Sequence, residues 1–264
     1  MSLRINTNTD ALSSYNRLNT TSAAASQSMQ RLSSGYRINS AADDTAGLSI
    51  SERMRGQIRG LAQASSNIGD AQSLVSTAEG ALSSVHGMLQ RVRELAVQYA
   101  NGSLSDTDKA SIASEVTQLQ SEITRIGAQT KFNGVVLLDS TTTITFQVGA
   151  DDGQTIAISG FELSGVVPTF SLGSSTAIAS IDEAINAVST QRGVYGATSN
   201  RLQYALDATT SYHENLVSAE SRIRDADMAK ESVALSKNQV LVQAGTAMLA
   251  QANQSGQNVL SLLR

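Results

Sequence analysis

Met54, Leu61, Ile68, Val75, Leu82, Leu89 and Ala96 stand seven residues apart, and Ala64, Ala71, Ala78, Val85, Val92 and Tyr99 form a second row three positions further on. A period of 3.5 residues sustained over this length suits neither a strand nor a short globular helix. It predicts a long helix over about 42–100, packed in a coiled-coil-like bundle. Gly56, Gly60, Gly69, Gly80 and Gly87 interrupt the sequence, each costing about 1 kcal/mol relative to Ala. None falls in either apolar row, so the helix survives with room for a bend.

The same period marks both ends of the chain. Ala11, Leu18, Ala25 and Leu32 recur at seven, with Tyr15, Ser22, Met29 and Tyr36 four positions on, while the opposite face carries Ser14, Thr20, Thr21, Gln27 and Ser28. A solvated face normally carries Glu and Lys, so this uncharged one is expected to meet protein on more than one side. Near the other terminus Leu235, Val242 and Leu249 run beside Leu241, Met248 and Ala252, and Val259, Leu262 and Leu263 continue the stripe. The two stripes predict an antiparallel pair of terminal helices. Its expected assembly seam is Leu18, Ala25, Met29 and Leu32 with Leu241, Val242, Met248, Leu249 and Val259.

Between the ends, Gly35 is the expected breaker of the first helix. Ser40 is the expected cap of the next, and Asp43 and Asp44 place negative charge at its positive end. Asn101-Gly102 stops the long helix, and Ser105 or Asp106 caps a shorter antiparallel return through Ile112, Val116, Leu119, Ile123 and Ile126. After the Phe132-Asn133-Gly134 turn the period changes to two, with Ile144, Phe146 and Val148, an Asp151-Asp152-Gly153 turn, then Ile156 and Ile158. That switch predicts a β-hairpin near 135–160. Residues 160–176 read as an exposed loop, and Ile181, Val188, Tyr195, Leu202, Leu216 and Ile223 predict a second long helix antiparallel to the first. A charged cluster, Glu220 to Asp227, mirrors the break at Gly35. The expected fold is mainly α, a long antiparallel coiled-coil-like helical bundle with a small β-hairpin and paired N- and C-terminal helices. The expected domains are 1–41 plus 225–264, an inner pair, and 42–224, an outer bundle.

Of the 264 residues, 41% are hydrophobic but only 4% aromatic, with no tryptophan and one proline. Apolar content made of Ala, Leu, Val and Ile suits helix seams better than a ligand pocket. The absence of cysteine excludes disulfides and thiolate metal sites. A formal charge of −4 offers no basic field for nucleic acid. No apolar run approaches the roughly 20 residues of a membrane span, so no membrane insertion is expected, and a cleavable signal peptide is not expected either.

Enzyme readings lack their residues. His86 and His213 are the only histidines and neither belongs to a zinc-binding His-Glu-x-x-His. Gly193-Val194-Tyr195-Gly196 sits in a helical period without a preceding strand or a phosphate-holding Lys. Asp151-Asp152 lacks the spaced oxygen ligands of a calcium loop. Abundant serine is paired with no base and orienting carboxylate. No catalytic, cofactor-binding or metal-ligating residue, and no cofactor, is expected.

Several longer motifs resemble bacterial flagellin. They are Ile5-Asn6-Thr7-Asn8; Leu32-Ser33-Ser34-Gly35-Tyr36-Arg37-Ile38-Asn39-Ser40-Ala41-Ala42-Asp43-Asp44-Thr45-Ala46-Gly47-Leu48; Leu89-Gln90-Arg91-Val92-Arg93-Glu94-Leu95-Ala96-Val97-Gln98; Phe132-Asn133-Gly134; Glu220-Ser221-Arg222-Ile223-Arg224-Asp225-Ala226-Asp227; and Asn258-Val259-Leu260-Ser261-Leu262-Leu263-Arg264. The resemblance covers roughly 1–138 and 177–264. It implies a structural protein that self-assembles into the extracellular flagellar filament used for motility. The middle, 139–176, is too short for the outer domains of larger members, which implies a thin, smooth filament.

The resemblance also implies export in an unfolded state without a cleavable signal, an export chaperone bound among residues 226–264, and contacts with hook-filament junction and cap proteins. In flagellins seen by the vertebrate Toll-like receptor, positions matching Arg91, Leu95 and Glu115 contact that receptor. The heptad places Leu95 outside the seam, between arginines, where the simpler reading is contact with the 112–126 helix or a neighbouring subunit. A hook-filament junction protein and, from another class, a secreted helical binding or adhesion module are the alternatives. The second predicts a fully folded soluble monomer.

Overall fold

The computed structural model describes residues 8–262 apart from 168 and 175, with side chains described as far as residue 254. In chain order the elements are α1 (Thr9–Ser34), α2 (Thr45–Tyr99), α3 (Asp106–Gln129), β1 (Lys131–Phe132), β2 (Val135–Val136), β3 (Thr143–Gln147), β4 (Thr155–Ser159), α4 (Leu163–Val166), α5 (Ala177–Arg224) and α6 (Met228–Leu262). The fold is mainly α. The chain divides into two compact units, 1–56 with 216–264 and 57–215.

The boundaries fall inside α2 and α5 rather than at the helix breaks expected near 41 and 225. The reason is local bonding. The backbone N–H of Arg37 donates to the carbonyl of Arg224 at 2.7 Å, and that of Ala226 to Gly35 at 2.9 Å. The Arg224 guanidinium donates to Glu52 at 2.7 Å and lies 4.6 Å over the Tyr36 ring. These contacts tie the first turns of α2 and the end of α5 into the unit of the terminal helices.

In that unit α1 and α6 pack antiparallel, with the Asn8 amide donating to the Ala252 carbonyl at one end and Arg31 beside Glu231, 3.8 Å apart, at the other. Gly35 closes α1 with a φ of 76° and donates its N–H to Arg31. Ile38 is buried behind it. Ser40 does not cap α2, contrary to expectation. Its hydroxyl and N–H, with the N–H of Asn39, all donate to Asp43, which closes the turn ahead of the helix. Asp44 does the capping, accepting the N–H of Gly47 at 2.9 Å. A Cβ at position 47 would lie 2.4 Å from the Asp44 carboxylate and 2.7 Å from Ile38, so a side chain there would have to displace the capping carboxylate and the buried isoleucine.

The second unit is the bundle. From α2 it buries Leu61, Ala64, Ile68, Ala71, Val75, Ala78, Leu82, Val85, Leu89, Val92 and Ala96, from α3 Ile112, Val116 and Ile123, and from α5 Ile181, Val188, Tyr195 and Leu202. These are the rows that the heptads mark. Cross-helix polar pairs fix α2 antiparallel to α5: Gln72 with Gln203, Glu79 with Arg192, and Arg93 with Asp182. Ser105 caps α3 in a reciprocal box with Asp108, the arrangement that satisfies two orphan N–H groups at once.

Among the described residues there are two hairpins where the sequence suggests one. β1 and β2 pair across Asn133-Gly134, and β3 pairs with β4 in the register Thr143↔Ser159 to Gln147↔Thr155. Ile156 and Ile158 face the core. Asn67 of α2 and Thr209 of α5 donate to the consecutive carbonyls of Gln147 and Val148, pinning the longer hairpin to both helices. The segment 160–176, expected to be an exposed loop, contains α4 and buries Leu163 and Phe170. Two large apolar side chains in seventeen residues are enough to hold it against the bundle.

Many exposed hydroxyls fold back onto their own helix. Ser73 and Thr77 on α2, Thr117, Ser121 and Thr124 on α3, and Ser189 and Thr190 on α5 each donate to the carbonyl four residues earlier.

Candidate assembly interface

The expected seam residues divide into two sets. Facing the α1–α6 contact, half-buried at heptad spacing, are Ala11, Leu18, Ala25 and Leu32 on α1, and Leu235, Val242 and Leu249 on α6. The row that completes α1's contact is Ser14, Thr21 and Ser28, and Ser28 is only 5% exposed. On α6 it is Asn238, Gly245 and Ala252. The pair therefore closes on one apolar row and one row of small or polar residues from each helix. Gly245 shows why: a Cβ there would sit 3.2 Å from Leu18, so the missing side chain is the socket for that leucine.

Met29, Leu241 and Met248, expected in the seam, are not in it. They are 51%, 46% and 63% exposed, on faces shared with Leu12, Tyr15, Val233 and Val240. The physical reason is geometric. Two helices bury one stripe each, and the stripes here are wider than one contact. Val259 lies outside the residues with described side chains, and the Ile5-Asn6-Thr7 start of the first motif lies outside the described residues. An open groove of about 710 Å³ runs beside the contact, lined by Leu18, Thr21, Leu241, Gly245 and Met248 among others. Leu12, Val233 and Val240 were not singled out from the sequence, although Val233 and Val240 stand seven apart.

Charge is sparse along this pair and concentrates where α1 ends. Asp43 is held below the usual carboxylate range by N–H groups of Ser40 and then Asn39, and Glu52 by hydrogen bonds from Arg224 and then Arg55.

In the bundle unit, Arg91 donates two hydrogen bonds to Glu115 at 3.0 and 2.9 Å and a third to Glu94. All three side chains are substantially exposed. Leu95, outside the two heptad rows, is 2% exposed and belongs to the same buried cluster as Ile112 and Val116, in line with the simpler reading of contact with the 112–126 helix. With α3 covering it in addition to α5, α2 buries a broader stripe than two rows. Tyr195, deep in this core, has its hydroxyl pKa raised by burial. Among the described residues no group of three or more His, Asp or Glu side chains could hold a metal, and no helix is long and apolar enough to cross a membrane.

Comparison with known proteins agrees with this arrangement. A family model described as the bacterial flagellin N-terminal helical region matches residues 5–143, and one for the C-terminal helical region matches 178–263. The flagellin of Bacillus subtilis strain 168 is 44% identical, over 99% of this chain and 100% of that protein. The flagellar filament 33 kDa core protein of Treponema phagedenis is 43% identical, over 98% and 99%. The crystal structure of Bacillus cereus flagellin aligns with a TM-score of 0.52 at 32% identity, covering 59% of this chain and 94% of that one. A hook-associated protein structure from Vibrio parahaemolyticus shares the fold, at a TM-score of 0.59 and 17% identity over 69% and 100%. The chain belongs to the bacterial flagellin family.

Proposed function

We propose that this flagellin is the structural subunit of a bacterial flagellar filament, and that its terminal helices drive polymerisation. One observation carries the reading. α1 and α6 pair, yet leave Leu12, Tyr15, Met29, Val233, Val240, Leu241 and Met248 substantially exposed, an apolar surface of the kind that marks protein contacts. Relatives named as filament proteins along nearly their whole length support it. They give no support to a junction protein or a secreted binding module, and a structural family gives no support to an enzyme.

In this reading the unit of terminal helices forms the inner part of the polymer and the bundle its wall. The C-terminal segment meets an export chaperone before assembly, and junction and cap proteins meet the polymer's ends. Arg91 and Glu115, exposed and paired, are the side chains a Toll-like receptor would engage. Buried Leu95 would support them from behind.

The test is negative-stain electron microscopy of the full chain beside a chain ending at residue 227, which lacks α6. Filaments from the full chain alone are expected. Filaments from both would refute the role of the terminal pair, and monomers from both would refute the filament reading.

A further inference from the structure

The chain contains two Asn-Gly steps, Asn101-Gly102 and Asn133-Gly134, and the structure holds them in opposite states. We infer that Asn101 is a site of spontaneous deamidation in the folded protein, giving aspartate and isoaspartate, while the same dipeptide at Asn133 is kept inert by its turn. This goes beyond filament formation and does not depend on it.

The reaction is intramolecular. The backbone nitrogen after the asparagine loses its proton and attacks the side-chain Cγ. A C–N bond forms, the Cγ–Nδ2 bond breaks, and Nδ2 leaves as ammonia. Water then opens the resulting five-membered imide at either carbonyl. One opening gives aspartate, and the other gives isoaspartate, with the main chain rerouted through Cβ and Cγ. Nothing is oxidised or reduced, and water is the only co-reactant. The step needs an unobstructed nucleophile, access to water, an electrophilic Cγ, and a backbone torsion that lets the following nitrogen approach the side chain.

At Asn101 the nucleophile is unobstructed, water has access and the side-chain carbonyl is polarised. Asn101 and Gly102 are exposed in the loop between α2 and α3. The Gly102 N–H makes no hydrogen bond, and the space where its Cβ would stand is open. Asn101 Oδ1 accepts the N–H of Ser103 at 3.2 Å. That donor polarises the carbonyl under attack and faces the oxygen on which negative charge develops, as oxyanion donors do. It leaves Nδ2 free to depart.

Asn133 fails on torsion. It is the one non-glycine with positive φ among the described residues, at 48°, followed by Gly134 at 82°. This left-handed region pairs with a ψ of about +47°, which turns the Gly134 nitrogen to the side of the Cα–C bond away from Cβ. Rotating it back would break the pairs Phe132↔Val135 and Lys131↔Val136 that close the turn, along with the 3.1 Å bond from Leu137 N–H to Thr130.

Conversion at Asn101 places a carboxylate at the C-terminal end of α2, where the helix dipole is already negative. As isoaspartate it also lengthens the backbone just ahead of the Ser105 capping box. The product is an age mark on an exposed loop.

The full-length chain is incubated at mildly alkaline pH, folded or in concentrated urea, digested, and mapped by fragmentation mass spectrometry with isoaspartyl methyltransferase labelling. Conversion at Asn101 with loss of reactivity at Asn133 is expected in the folded chain, and conversion of both in urea. Gly102→Ala should abolish the Asn101 product with an unchanged circular dichroism spectrum. Equal or faster conversion at Asn133 in the folded chain overturns the inference, as does an Asn101 that stays intact when folded.

Discussion

Replacing Leu241 by aspartate separates pairing within one chain from contact between chains. Leu241 is 46% exposed on the open side of α6. Full burial of a leucine is worth about 1.5–3 kcal/mol, so covering the exposed half contributes about 1 kcal/mol per subunit. Leu241→Ala removes most of that, and at 1.4 kcal/mol per tenfold the critical concentration for polymerisation rises about fivefold. Leu241→Asp instead buries an unpaired carboxylate, costing several kcal/mol, and raises the critical concentration on the order of a thousandfold. The free chain should notice either change far less, because about half of the side chain already meets water there. The assay is pelleting across a concentration series, with circular dichroism of the unpelleted chain as the control for folding. Pelleting of Leu241→Asp at the concentration the unaltered chain requires would refute the argument, since the open face would then not be a subunit contact.

Leu82→Ala, in the fully buried row of α2, should lower the stability of the bundle unit by about 2–5 kcal/mol in urea titration. Gly245→Val should push Leu18 out of its socket and reduce α1–α6 pairing, read as faster hydrogen exchange in both helices. Gly80→Ala, where the added methyl meets open space, should stabilise the free chain by up to about 1 kcal/mol. Acid should weaken the unit of terminal helices in a defined window. Asp43 and Glu52 hold their protons less tightly when folded, so their contribution is complete above the unfolded pKa values near 4 and is lost as pH falls through the lower folded ones. Glu52→Gln should reduce stability at pH 7 and flatten its decline below about pH 4, as followed by thermal melts across pH.

The sequence announced the bundle because its signal is redundant. A row such as Leu61, Ile68, Val75, Leu82 and Leu89 has one face to bury, and no other secondary structure repeats at seven. The terminal pair was harder to read. Apolar residues tell which faces avoid water, not which molecule covers them. Met29, Leu241 and Met248 looked like partners of the intrachain seam, whereas Ser14, Thr21 and Ser28, which sit in it, carry no hydrophobic signal. Gly245 was legible only once Leu18 stood opposite. Leu95 was legible as a leucine that needs a cover beyond the two rows: two rows describe a helix with one neighbour, and α2 has α3 as well as α5. Asp43 and Ser40 were recognised as belonging to a helix start, but a serine beside an aspartate does not reveal which of them the free N–H groups will choose.

The hydroxyls of Ser73, Thr77, Thr117, Ser121, Thr124, Ser189 and Thr190, each donated to a carbonyl of its own helix, alter what dehydration costs. Covering an ordinary serine strands its proton unless the incoming surface supplies an acceptor, at about 1–3 kcal/mol for each orphan. Here each of these protons already has its acceptor, and a surface that settles on these hydroxyls need not supply one. By composition these hydroxyls count as polar, yet covering them strands no proton.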